Sequence, residues 1–228
     1  DANGYTPEVD LFAFPYDWRK SNVETALLLR DKINQVQGMC HCGKVDLIAH
    51  SMGGLVSRQY IQSNYYENDV NHMIFLGTPH LGAPKAYLMW EGGSFGDDKD
   101  VLALILKSVL TLEAIESGYA NLFQYVQLRP IESVRELLPV YSYLFDENDQ
   151  LKIYPSQYPT NPFLENLSNT ISSLFENVGS THNIASDNGK DNTITSLDVI
   201  PSALLPFWPD GMPKGLLQPF TPLGISRG

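Results

Sequence analysis

Basic residues, cysteines and unbroken apolar runs are what this sequence has least of. Its 15 lysines and arginines stand against 26 aspartates and glutamates, a net charge of -11. An acidic protein draws neither nucleic acid nor an anionic membrane surface, so no nucleic-acid partner is expected. The most apolar long stretch, Val101 to Ile115, is broken by Lys107, Ser108 and Glu113. A bilayer span takes about 20 mostly apolar residues, so no transmembrane segment is expected. Cysteine occurs only at Cys40 and Cys42, either side of His41. Three consecutive ligands cannot close a tetrahedral zinc site, and no second cysteine pair exists, so neither metal nor cofactor is expected. A plain loop between a helix and a strand is the expectation there, with the redox compartment left open. An initiator methionine and a basic leader are also lacking. The chain opens on Asp1-Ala2-Asn3-Gly4 and closes on Ile225-Ser226-Arg227-Gly228, and both ends have the look of cuts.

What is present suits a folded domain. At 228 residues with 43% hydrophobic content, the chain can bury the core of one domain with an insertion, or of two small ones. One stretch organises the rest, Val45-Asp46-Leu47-Ile48-Ala49-His50-Ser51-Met52-Gly53-Gly54-Leu55-Val56. An apolar run of strand formers stops at a serine and a helical pattern follows at once, the local grammar of a nucleophile elbow. Strand and helix nearly touch across such a turn, so the residues two before and two after the serine must be small. Here they are Ala49 and Gly53, with Gly54 giving further clearance. Ser51 is the candidate nucleophile, and the backbone N–H of Met52 the candidate oxyanion donor.

In chain order, Val9 to Phe14 reads as a short buried strand stopped by Pro15. Ser21 and Glu24 make a capping-box pattern for a helix whose apolar face is Val23, Ala26, Leu27, Leu29, Ile33 and Val36. The elbow strand and its helix follow, then a strand from His72 to Leu76 ended by Gly77-Thr78-Pro79. Strands alternating with helices predict a parallel sheet with helices on its faces, an α/β fold. From Ala83 the pattern changes to a glycine-rich loop, an apolar helix over Val101–Ile115 and a weaker helix from Ile131 to Leu138. Tyr141 to Asn166 reads as irregular chain, Leu167 to Glu176 as a helix, and Thr193 to Ile200 as a β-type run. Beyond Pro201, frequent prolines predict loops.

Several of these segments together resemble the lecithin–cholesterol acyltransferase family, in its bacterial lipase-like branch. They are Phe14-Pro15-Tyr16-Asp17-Trp18-Arg19, Ala49-His50-Ser51-Met52-Gly53-Gly54, and Leu76-Gly77-Thr78-Pro79-His80-Leu81-Gly82-Ala83-Pro84. Glu136-Leu137-Leu138-Pro139 and Trp208-Pro209-Asp210-Gly211-Met212-Pro213 extend the match. The resemblance implies an α/β-hydrolase acting on ester lipids through a serine-linked acyl-enzyme, by hydrolysis or acyl transfer. It also points toward an extracellular or cell-surface setting, on which the residues themselves are silent. The implied organisation is a partial hydrolase core over residues 1–82, a mainly helical cap over 83–165 set above Ser51, and a loop-rich return to the core over 166–228.

A serine needs a base to take its proton and an acid to orient that base, in the chain order serine, acid, histidine for this architecture. His41 and His50 precede Ser51, His72 starts a strand, and His80 has no acid strand before it. His182 is in order, with Asp146 or Asp149 ahead of it, but lies in cap-like and loop-like sequence. In the resembled family the acid sits in a Gly-Asp-Gly-Thr-Val-type turn with the histidine later still, and this sequence stops before either. The expectation is an incomplete catalytic fragment, inactive by itself, whose remaining core comes from flanking sequence or another chain. A strand between Val9–Phe14 and Val45–His50 should likewise be missing. Tyr16, Trp18, His50 and His80 are candidate substrate-binding residues, while Asp17 and Arg19 suit a structural ion pair better. Two other functions compete: a non-catalytic binding module that keeps the fold, and an esterase like GPI inositol-deacylase.

Overall fold

The computed structural model describes residues 4–92, 101–128, 131–185, 194–201 and 209–214. In chain order the elements are α1 (Asn22–Cys40), β1 (Val45–His50), α2 (Met52–Ile61), β2 (Val70–Leu76), α3 (Lys85–Gly92), α4 (Val101–Glu116) and α5 (Leu122–Leu128). There follow α6 (Glu132–Arg135), β3 (Leu144–Phe145), α7 (Pro162–Asn169), α8 (Ile171–Asn177), β4 (Ser180–Ile184), β5 (Leu197–Ile200) and β6 (Met212–Pro213). They fall into two compact units, one of residues 1–80 and 162–189, the other of 81–161 and 190–228.

The first unit is built on a parallel sheet in the order β1-β2-β4. It is the parallel sheet with flanking helices that the strand–helix alternation predicts. Side chains alternate across a strand, so Val45, Leu47 and Ala49 share one face of β1 and Asp46, Ile48 and His50 the other. The first face joins Met73 and Phe75 of β2 in an apolar cluster with Ala26, Leu29 and Ile33 of α1, Val56, Tyr60 and Ile61 of α2, and Leu174 of α8. Burying each of the larger side chains contributes about 1.5–3 kcal/mol. Parallel sheets are ordinarily covered on both faces. Here the second face stays open among the described residues, with Ile48 65% and Ile184 57% exposed.

Three local readings change in the folded chain. Val9–Phe14 is not a strand. Residues 6–11 form a turn in which the Asp10 carboxylate accepts from the Thr6 N–H at 2.6 Å, and Val9 and Leu11 are exposed. With no neighbouring strand to pair with among the described residues, an apolar run closed by Pro15 gains nothing from extension. α1 starts where predicted, the Ser21 hydroxyl accepting from the Val23 N–H at 3.1 Å. Its buried stripe, however, includes Asn22 and Thr25, while Val23 and Leu27 face outward. α1 ends at Cys40, and Cys40 is disulfide-bonded to Cys42 through a left-handed His41. The helix expected over Leu167–Glu176 is two, α7 and α8, broken at Thr170.

The second unit holds α3 to α6 and the small sheet β3-β5-β6. The Tyr158 hydroxyl organises its irregular part, accepting from the backbone N–H groups of Tyr143 and Leu144 and donating to the Lys152 carbonyl. Tyr87 donates to the Gly211 carbonyl at 2.6 Å. Gly82 sits at φ +93° with Pro139 and the Leu138 carbonyl where a Cβ would be, which only glycine permits. Within α4 the side chains of Leu102, Ile105 and Leu106 lie outside the described residues, and Val109 is exposed; Trp208 and Arg227-Gly228 also lie outside the described residues.

Candidate active site

Ser51 occupies the turn between β1 and α2 with φ 52° and ψ -127°. A residue with a Cβ pays about 1–3 kcal/mol to be held in so sparsely populated a region. Neighbouring bonds enforce it. The Ser51 N–H donates to the Leu76 carbonyl of β2 at 2.9 Å, and the Ser51 carbonyl accepts from Gly54 N–H at 3.0 Å. The serine therefore continues the sheet pairing on one side and starts a helix on the other, which no relaxed conformation allows.

The reason for each small neighbour differs from the sequence reading. A Cβ on Gly53 would meet nothing nearer than 3.8 Å, from the Ala49 methyl and the Tyr16 hydroxyl. On Gly54 it would lie 2.0 Å from Thr78 Oγ1 and 2.6 Å from Thr78 Cγ2. The helix passes Thr78 so closely that the second glycine is the obligatory one, and Ala49 is accommodated without strain. Met52 is nearly buried and opens α2. Its N–H is one of the four that a helix start leaves without an intrahelical acceptor, and the helix dipole is positive there.

The other named residues lie as follows. Tyr16 stacks on Phe14 with centroids 5.6 Å apart and stands beside Gly53, so it borders the elbow; burial pushes its phenol pKa upward. Trp18 is half-buried in the same segment. Asp17 and Arg19 form a two-pronged ion pair, both bonds 2.8 Å, and the hydrogen bond from Arg19 lowers the carboxyl pKa to about 2. His50 is exposed on the open face of β1. His72, on the same face, is 2.8 Å from Asp46.

His182 lies on β4, where its ring meets the Ser180 hydroxyl at 3.2 Å. Asp146 belongs to the second unit and folds into its own turn, accepting from the N–H groups of Asn148 and Gln150. The fold does not bring His182 to Ser51. Among the described residues the Ser51 hydroxyl has no hydrogen bond, and none of the five histidines reaches it. No cluster of metal-ligating side chains occurs among the described residues, and no helix there is long and apolar enough to cross a membrane.

Sequence reasoning missed Arg58. It is 2% exposed on α2, and its guanidinium bonds the side chain of Gln62, the carbonyl of Leu167 and both the ring and the carbonyl of His80. The signal was available: an arginine within Leu55-Val56-Ser57-Arg58-Gln59-Tyr60-Ile61, a helix otherwise carrying core residues.

Comparison with known proteins places these features in context. The family model of lecithin:cholesterol acyltransferase matches residues 1–198. The chain is similar to phospholipase A(1) LCAT3 of Arabidopsis thaliana, 35% identical over 85 residues, which is 36% of this chain and 19% of that protein. It is similar to the lysosomal phospholipase A and acyltransferase of Homo sapiens, 30% identical over 96 residues, 40% of this chain and 23% of that protein. A shorter stretch of 44 residues is 48% identical to the GPI inositol-deacylase of Emericella nidulans, 19% of this chain and 4% of that protein. The chain thus spans less than a quarter of the length of these relatives.

Proposed function

The chain belongs to the lecithin:cholesterol acyltransferase family, and on that premise we propose that it carries the nucleophile half of a serine acyl hydrolase or O-acyltransferase acting on ester lipids. The observation that carries this reading is the strained backbone of Ser51, φ 52° between a strand and a helix start. Strain of this kind lifts the hydroxyl clear of the sheet at the positive end of α2, where an ester carbonyl can meet it.

In the reaction, Ser51 Oγ bonds to the ester carbonyl carbon as its proton passes to a base. The carbonyl electrons move onto oxygen, which the Met52 N–H stabilises. Collapse expels the alcohol, protonated by the same base, and leaves the acyl group on Ser51. Water then completes hydrolysis, or a second alcohol completes transfer. Tyr16, bordering Gly53, would contact the acyl group, with Trp18 nearby in the same segment.

The base and acid are not among the described residues around Ser51, so in this reading they come from elsewhere in the full protein. A bare sheet face and an unpaired β1 edge among the described residues support the same view, that part of the core is supplied by flanking sequence or another chain. The similarity to GPI inositol-deacylase leaves an esterase of that kind as the alternative within the same chemistry.

The test is labelling by a fluorophosphonate probe of the chain extended by its flanking coding sequence. The extended protein should label at Ser51, and Ser51→Ala should abolish labelling and lower ester turnover by on the order of a million-fold. Labelling that survives Ser51→Ala overturns the assignment. A folded extended protein that never labels is a binding module.

A further inference from the structure

We propose that Arg58 is a positioning residue: its guanidinium holds His80 in the tautomer that carries its proton on Nε2, and thereby fixes the loop 77–80 beside Ser51. The argument starts from hydrogen-bonding capacity. Arg58 Nη1 lies 3.3 Å from His80 Nδ1 and 3.3 Å from the His80 carbonyl. A guanidinium has donors only, so Nδ1 must accept, and the single proton of a neutral ring is left on Nε2. The ring is held from one more side, edge-on to Phe75 with centroids 4.9 Å apart. Burial, and then the Arg58 charge, lower its pKa, so it stays neutral.

The cation itself is unusual. It is 2% exposed, and its bonds run to Gln62 Oε1 at 2.9 Å, Leu167 O at 2.7 Å and His80, all neutral acceptors. Burial without a carboxylate lowers its pKa to about 10. An uncompensated buried charge costs stability, so its presence points to a geometric task. The task is visible in what it joins. α2 starts directly after Ser51, and β2, which leads into the loop, accepts the Ser51 N–H at Leu76. Arg58 ties that helix back to that loop, and its rigid fork serves four acceptor atoms on three residues that an ammonium group could not reach together. It also removes His80 as a base for Ser51, because Nδ1, the one ring nitrogen without a proton, accepts from Arg58.

The tautomer does not depend on the proposed reaction; only the consequence at Ser51 rests on that reading. Long-range nitrogen–proton NMR of the 228-residue chain should show His80 unprotonated at Nδ1 and protonated at Nε2, and still neutral below the ordinary histidine value of about 6.5. Arg58→Met should mix the tautomers and bring the titration toward that value, and Arg58→Lys should not restore the signature. In the extended protein, Arg58→Met should slow fluorophosphonate labelling about ten- to a hundredfold. A proton on Nδ1 in the wild type, or a signature unmoved in Arg58→Met, overturns the proposal. If Arg58→Met does not fold, the wild-type spectrum alone decides. If the wild type never labels, the acyl-enzyme reading falls while the tautomer result stands.

Discussion

Gly54 and Thr78 define how closely helix and sheet approach at the elbow: a Cβ on Gly54 would meet Oγ1, Cγ2 and Cβ of Thr78 at 2.0, 2.6 and 2.8 Å. Rotating Thr78 about χ1 cannot relieve all three contacts, so the backbone must move. Gly54→Ala is expected to destabilise the chain by about 1–3 kcal/mol, the usual cost of overpacking. Thr78→Gly should recover most of that loss in the double variant. Urea unfolding of the four proteins measures the coupling, and additive effects would show that the two positions do not compete for space.

The strain at Ser51 is testable apart from any activity. Glycine adopts positive φ without penalty, at an entropic cost in the unfolded chain of about 0.4–1 kcal/mol. Relief of about 1–3 kcal/mol outweighs it. Ser51→Gly should therefore raise stability by about 1 kcal/mol in the same unfolding experiment. A destabilised Ser51→Gly would mean that the conformation costs nothing.

A pH dependence follows from Asp69, which is 3% exposed at the start of β2. It accepts from the Tyr60 hydroxyl at 2.7 Å through Oδ2, while Oδ1 has no partner among the described residues. Burial raises its pKa above the ordinary 3.8, against the pull of Tyr60 and Lys44. A raised carboxyl stays protonated in the folded chain after the unfolded one has ionised, so its share of stability is complete below pH 3.8 and falls as pH rises through the raised value. Asp69→Asn keeps an acceptor for Tyr60 and removes the titration. Its stability should decline less than that of the wild type from about pH 4 upward; parallel curves would refute this.

The edge of β1 gives a further expectation. Val45 and Ser51 donate to Asp69 and Leu76, so residues of odd number face β2 and Asp46, Ile48 and His50 turn their backbone groups to the other edge. By hydrogen exchange, amides 46, 48 and 50 should exchange about tenfold or more faster than 47 and 49 in this chain. In the extended protein they should become protected. Equal exchange of both sets in the extended protein would leave that edge without a partner strand.

Local and repetitive features were legible before folding. The run from Val45 to His50 has the composition of a strand, Ser21 that of a helix cap, and Ser51 with its small neighbours that of an elbow, because each depends on residues a few positions apart. Family membership was equally legible, through motifs spread from Phe14 to Pro213. Features that depend on distant partners were not. Val9–Phe14 has strand composition but remains turn and coil, since a strand is stable only beside another. The stripe of α1 turned to bury Asn22 and Thr25 because packing on α2 and the sheet, not periodicity, selects the face. That Gly54 rather than Gly53 is obligatory rests on Thr78, twenty-four positions on. That His80 is clamped by Arg58 rests on a contact spanning 22 positions. Sequence alone therefore determined the strand–turn–helix at the elbow and the candidate nucleophile, while tertiary structure decided which apolar runs become strands and which polar groups meet, because contacts between remote residues leave no periodic mark on a chain.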